Sequence, residues 1–464
     1  VASWRGVLAA LLAAFVVVGT GAAGVVGVAG VASAGQAGTT LYVDDGSAAE
    51  GDEFCAPGSA NATRYQEIQT AVVNASEGDT VRVCDGTYSA FVVNEQLTVV
   101  GAGGVVDLEG APGPAVFVEV DANGAVVRGL PVRNAGVGVF ARGATDVTVA
   151  DASFEGIDER AVELSGTEGT TLRNITVNES VVGVRVEDSP GVSVESSTFR
   201  NLTGRAVDLE DADGATVSGL SATDVSAGVS VQSSADVTVA DSTFERVGES
   251  AVTLRNSGDA TISGLDVTNG STGVEVLAAG GEEVPDVALR DVTVRNLTDG
   301  LRAGVSEGAT LSGLALSDLD VAGTDRGVDL SASGSGSVLA NVTVEGSTVV
   351  DSAERGVGVS TLDGTARVRS VVLEGLTVEG PGSGEGVSVS AQAGEIRDVT
   401  LENSSVASHE VGVSVSNDDA VLSNATAFRN RITDNTVGVE IDEGSPRSNT
   451  EDVAVRQNLV SDST

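Results

Sequence analysis

One tetrapeptide, Gly/Ala-Val-x-Val, constrains this chain more than any other feature. It reads Gly136-Val137-Gly138-Val139 first. It returns as Ala161-Val162-Glu163-Leu164, Gly183-Val184-Arg185-Val186, Ala206-Val207-Asp208-Leu209, Gly228-Val229-Ser230-Val231, Ala251-Val252-Thr253-Leu254 and Gly273-Val274-Glu275-Val276. These seven copies start 25, 22, 23, 22, 23 and 22 residues apart. Looser copies begin at Gly300, Gly327, Gly356, Gly386, Gly412 and Gly438, 26 to 30 residues apart. A period in the twenties with one short apolar strand per copy predicts a solenoid. Apolar residues two apart point inward and the residue between them points outward.

A second strand follows each copy after a polar turn, as in Val147-Thr148-Val149, Val192-Ser193-Val194 and Val237-Thr238-Val239. Val, Thr, Ser and Gly dominate, which favours strand and turn over helix. Phe154, Phe199 and Phe244 recur at intervals of 45 residues, two coils each time. They predict an interior stack in which large side chains alternate with others, Ile175 and Leu220 standing near that place on the intervening coils.

The fold expected is all-β, a solenoid of 22–30-residue coils. Residues 101–464 form the coils, 64–100 the cap helix and first rungs, and 35–63 an N-terminal arm with Cys55. Arg5, the apolar run from Val7 to Val18 and Ala32-Ser33-Ala34 read as a secretory signal over residues 1–34. An uncleaved membrane anchor is the rival reading of the same run. A secreted or cell-surface location follows.

The net charge of −42 sets the solution chemistry. All 25 basic residues are Arg, against 67 acids. Such a surface repels phosphate, which argues against nucleic acid as a partner. The 41% hydrophobic content and the strict period argue against disorder. An acidic chain without Lys or Met resembles, in composition, secreted proteins of salt-loving archaea. In an exported chain Cys55 and Cys84 are expected to pair. Asn-x-Ser/Thr sequons at Asn61, Asn74, Asn174, Asn178, Asn201, Asn269, Asn296, Asn341, Asn403 and Asn424 are candidate glycosylation sites.

Ahead of the coils, Ile68-Gln69-Thr70-Ala71-Val72, then Glu77-Gly78-Asp79-Thr80-Val81-Arg82-Val83, then Gly86-Thr87-Tyr88 resembles the opening of pectin-lyase-like right-handed β-helix proteins. The resemblance implies that the solenoid is a single-stranded right-handed parallel β-helix with an N-terminal helical cap, a helix expected from Arg64 to Ala75 that precedes the first rung. It also implies a fold that hosts polysaccharide lyases and hydrolases alongside non-enzymatic proteins.

Candidate chemistry lies on the outward position of the repeat. In order it reads Gly138, Glu163, Arg185, Asp208, Ser230, Thr253, Glu275, Arg302, Asp329. Two acid-Arg-acid triples stand out, Glu163/Arg185/Asp208 and Glu275/Arg302/Asp329. They are candidates for a lyase base with its ligands, or for a solvated charge ladder with no chemistry. Asp211 and Asp213 resemble the start of a Ca²⁺ loop without its downstream ligands, so Ca²⁺ is the sole cofactor considered. His409, the only His, reads as a surface turn residue. With no Met and one His, copper is disfavoured. Aromatic content of 3% leaves no visible sugar platform. The long turns Leu277–Asp286 and Asp442–Asp452 are expected to form an irregular edge.

The functional expectation is a non-enzymatic extracellular or cell-surface glycoprotein, a scaffold or adhesion module contacting polysaccharide or surface proteins. The alternative is an exported polysaccharide lyase or glycoside hydrolase.

Overall fold

The computed structural model describes residues 38–46, 55, 64–445 and 447–461. The signal segment and Asn61 lie outside them. The rest is a parallel β-solenoid of about 16 turns. Each early coil carries three strand segments. Sheet A holds short strands such as Thr148–Ala150, Thr171–Arg173 and Ser193–Glu195. A corner then leads into longer strands such as Ser153–Ser165 and Thr198–Glu210. Their first halves form sheet B and their second halves, with the tetrapeptide, sheet C. The ladders among the described residues are parallel; register slips at the corner between sheets B and C and is regained within sheet C, for example at Val162↔Val184↔Val207.

The corners explain the Asn, Asp and Gly content. Asp151, Asn174, Ser196 and Asp241 follow sheet A with φ of 52°, 51°, 48° and 48°. This left-handed bend suits short polar side chains that satisfy local backbone. Just beyond it the chain turns a residue inward. Ser197 and Ser242 there accept N–H bonds from Ile175 and Leu220 at 3.2 and 3.1 Å. Each hydroxyl also donates to a carbonyl of its own corner.

The core is Val, Leu, Ala and Phe, with Phe154, Phe199 and Phe244 at most 1% exposed. On the intervening coils their ladder partners are Val177 and Ala222 rather than Ile175 and Leu220. Ile175 and Leu220 instead occupy the corner two residues earlier. Large and small residues thus trade places: Ala152, Ser197 and Ser242 precede the phenylalanines, whereas Ile175 and Leu220 precede Val177 and Ala222. Each coil keeps a similar volume, as close packing demands.

Three further expectations are corrected. The first tetrapeptide is Gly138-Val139-Phe140-Ala141, because Val139 pairs Val162 and Phe140 pairs Glu163. Val-x-Val patterns read equally well two residues early, and register alone decides. The cap helix is shorter, Ile68–Asn74, and Arg64–Tyr65 pairs as a strand. Its Ile68, Ala71 and Val72 are buried over the first rungs. Finally, the longer turns are not irregular. From Glu283–Pro285 onward each holds a fourth short strand, giving sheet D with the ladder Val284↔Leu311↔Leu339↔Val368↔Ile396↔Leu422. That added strand accounts for the longer period of the later coils.

Candidate functional site

The outward face of sheet C is one continuous strip. Its central column runs Phe117, Phe140, Glu163, Arg185, Asp208, Ser230, Thr253, Glu275, Arg302, Asp329, Gly358, Ser388, Ser414. Both acid-Arg-acid triples therefore share one column, as the repeat implies.

Their pairing differs from a simple alternating ladder. Arg185 binds Asp208 and, at 2.6 Å, Glu210, both on the next coil. Glu163 turns instead to Arg160 at 3.1 Å. Arg302 reaches back to Glu275 at 3.4 Å, and Asp329 pairs with Arg355 at 3.4 Å. The cause is a second column near the start of each sheet C segment, holding Arg160, Arg205, Asp299, Arg326 and Arg355. It supplies rival partners. Sequence reading missed it; the signal was the charged residue three places before the outward position.

Asp208 is the most enclosed of these acids, its side chain 8% exposed between Arg185 and Arg205. Burial opposes the charge on Arg185, but Asp208 and Glu210 outweigh it and raise its pKa. Downstream, burial pushes the Asp299 carboxyl above its usual value. Arg326 and Arg302 pull the other way, while Asp329 and Asp325 add to the rise.

Between the two charged zones the column turns neutral at Ser230 and Thr253. There the surface opens into a cleft of about 410 Å³. Ser230 and Thr253 line it beside Arg205, Glu249, Arg255 and Glu275. Ser250 donates to Glu275 at 3.4 Å. The cleft offers hydroxyls, guanidiniums and carboxylates within one small space, a set suited to hydroxyl-rich ligands.

The remaining candidates fall elsewhere. Cys55 and Cys84 form a disulfide with Cα atoms 5.7 Å apart. Asp211 is a left-handed corner residue, and Asp213 accepts the Ala235 N–H at 2.8 Å, which is turn chemistry. Among the described residues no cluster of three or more His, Cys, Asp or Glu forms a metal cage. His409 is not a surface residue. It is 1% exposed, its ring filling room left by Gly380 and Gly386 on the preceding coil. Of the described sequons, Asn174, Asn201, Asn269, Asn296, Asn341, Asn403 and Asn424 are left-handed corner residues. Asn178 lies in Thr176–Glu187 and Asn74 ends the cap helix.

These features define a parallel β-helix whose sheet C carries a continuous column of charged and hydroxyl side chains. The family model for the right-handed β-helix region matches residues 227–460, and the chain belongs to that family. The model of the periplasmic copper-binding protein NosD matches residues 74–264. Copper does not fit the residues there: that span has no Met and no His, and its one Cys, Cys84, is bonded to Cys55. No curated protein matches the sequence. Among solved structures, the tailspike of E. coli bacteriophage HK620 in complex with a pentasaccharide is 12% identical over 87% of this chain and 79% of its own, with a TM-score of 0.46. The catalytic domain of a GH87 alpha-1,3-glucanase in complex with nigerose is 12% identical over 86% and 68%, TM-score 0.37. The A-module of an Azotobacter vinelandii mannuronan C-5 epimerase is 14% identical over 85% and 94%, TM-score 0.30. Among the described residues no helix is long and apolar enough to cross a membrane.

Proposed function

We propose that this chain is an exported surface protein that binds polysaccharide along the outward face of sheet C, without turning it over. The observation that carries this reading is the cleft over Ser230 and Thr253, where hydroxyls separate the two ion-paired stretches of the column. Charges on either side are largely occupied with one another, so they position the cleft more than they react in it. Sugar hydroxyls match its mix of donors and acceptors. Export is supported by the bonded Cys55 and Cys84, since such bonds persist in oxidising compartments.

Thr253→Trp fills the cleft from its floor. Calorimetric titration with α-1,3-glucan and polymannuronate oligosaccharides tests the reading. Loss of binding in the variant, with unchanged thermal stability, supports it. Equal binding in both proteins overturns it.

One observation favours the enzymatic alternative. Asp299 is a partly buried carboxyl with a raised pKa beside Arg302, Asp325 and Asp329. Such a group suits proton transfer. New reducing ends or unsaturated products, lost in Asp299→Asn, would establish the lyase or hydrolase reading in place of the first.

A further inference from the structure

Near its start the column that runs through the cleft carries two phenylalanines. Phe117 pairs Phe140 in the parallel ladder, Val92 stands before them and Glu163 after. The core does not need these rings. The inward residues of the same strands, Val116, Val118, Val139 and Ala141, are already at most 1% exposed. From Glu163 onward the column carries only charged, hydroxyl or Gly residues as far as Ser414. The two outward Phe, continued on one side by Val92, therefore form an apolar patch on an otherwise polar face.

Their geometry says what can sit there. The ring planes are 13° from parallel and the centroids 5.2 Å apart. Carbon atoms in contact are about 3.5–4.0 Å apart. The rings are therefore offset like overlapping slates, the stacked arrangement aromatic pairs prefer. Each leaves part of a face or an edge uncovered. Both are half-buried, so from rings of ~150–250 Å² the open apolar area is on the order of 100 Å². A protein partner needs roughly 800 Å² on each side. The patch is the size of a sugar ring.

We propose that Phe117 and Phe140 form a stacking platform for one pyranose of the bound glycan, a second subsite on the face that holds the cleft. The inference rests on the polysaccharide reading above. A pyranose turns C–H groups to one side, and their positive hydrogens meet the negative ring face. Its hydroxyls point to the rim, where Glu163 is the ladder partner of Phe140 and Arg142 stands two residues on along the same strand. From Phe140 the column passes Glu163, Arg185 and Asp208 to reach Ser230, four coils in all. At ~4.8 Å per coil the two subsites lie roughly 19 Å apart. A disaccharide cannot span that distance, so the ligand is a chain of several sugars lying along the solenoid axis.

The test uses the full chain and α-1,3-glucan and polymannuronate oligosaccharides graded from disaccharide to decasaccharide. The variants are Phe117→Ser/Phe140→Ser, the milder Phe140→Leu as a fold-preserving control, and the cleft block Thr253→Trp. Wild-type affinity should rise with length and step up once the chain spans both subsites. The double Phe variant should lose the step, about tenfold for the longest chains, and keep its affinity for the shortest. Phe140→Leu should lose part of it while melting like the wild type. If both Phe variants keep the step while Thr253→Trp abolishes binding, the platform is refuted and the cleft stands. If the wild type binds none of the probes, both readings fall. Loss of self-association in the Phe variants, with glycan affinity intact, would assign the rings to a contact between copies and overturn the proposal.

Discussion

Gly183 lies against the ring of Phe199 on the next coil: a Cβ on Gly183 would stand 2.5 Å from Phe199 Cδ1. Gly138 meets Phe154 and Gly228 meets Phe244 in the same way, at 2.5 and 2.6 Å. Where the tetrapeptide begins with Ala, at Ala161, Ala206 and Ala251, the next coil presents Val177, Ala222 and Val267 instead. The Gly/Ala alternation of the repeat is thus the shadow of the Phe alternation in the core.

Gly183→Ala should therefore cost about 1–3 kcal/mol by overpacking. Adding Phe199→Val should recover only part of that loss, because the methyl meets the backbone oxygen of Ala206 at 2.4 Å as well as the ring. Denaturant midpoints of the two variants check this. A double variant no better than the single would mean that the backbone approach, not the ring, sets the limit.

Arg185→Gln should be felt more than an exposed pair would be. Asp208 is 8% exposed and accepts from both Arg185 and Arg205, so removing one donor leaves a buried carboxylate half satisfied. A loss of about 1–3 kcal/mol is expected, softened by the remaining Arg205. Arg246, 47% exposed beside an equally exposed Asp224, is the control. Arg246→Gln should leave the midpoint unchanged. Similar losses in both would show that enclosure of Asp208 is not what matters.

Stability should rise with salt. At −42 net charge the acids outnumber their partners, and several ion pairs, such as Arg133–Glu155, Arg246–Asp224 and Arg295–Asp320, are exposed. Raising salt from 0.1 to 1 M shortens the Debye length from about 10 to about 3 Å. That weakens the exposed pairs slightly but removes the repulsion summed over the whole surface. A melting temperature that climbs toward molar salt is expected. A falling one would put the local pairs ahead of the global field.

Much of this was legible in the chain. A period of 22 and 23 residues with alternating Val predicts stacked parallel strands, and the shared column of Glu163, Arg185 and Asp208 follows from that register alone. Other features were not. A Val-x-Val pattern has period two, so Gly136 and Gly138 both open a plausible first copy. Choosing Gly136 put Phe140 outside the outward column and hid the aromatic pair. The turns of sheet D looked irregular because three-residue strands such as Thr310–Ser312 carry a single inward residue, too few to show a pattern. The cleft arises from small residues between charged ones, an absence of bulk that no motif marks.

His409 supplies the last prediction, one of pH. Its ring is buried against Gly380 and Gly386, and neither nitrogen makes a well-aligned hydrogen bond. Burial lowers its pKa below the usual 6.5; the backbone of Ser383 and Val378 opposes this without cancelling it. The unfolded chain then takes up a proton that the folded chain refuses. Stability contributed by the neutral ring is complete above pH 6.5 and is lost as pH falls below it. The slope approaches about 1.4 kcal/mol per pH unit for one proton until the folded ring also titrates. Asn435 fills the equivalent corner one coil on, where its Oδ1 accepts the backbone N–H of His409 at 2.9 Å. His409→Asn should therefore fit the fold and remove the slope. Urea midpoints of both proteins from pH 7.5 to pH 4.5 give the difference directly. Two parallel curves would mean that the ring titrates alike in the folded and unfolded chain, and that its burial carries no pH signal.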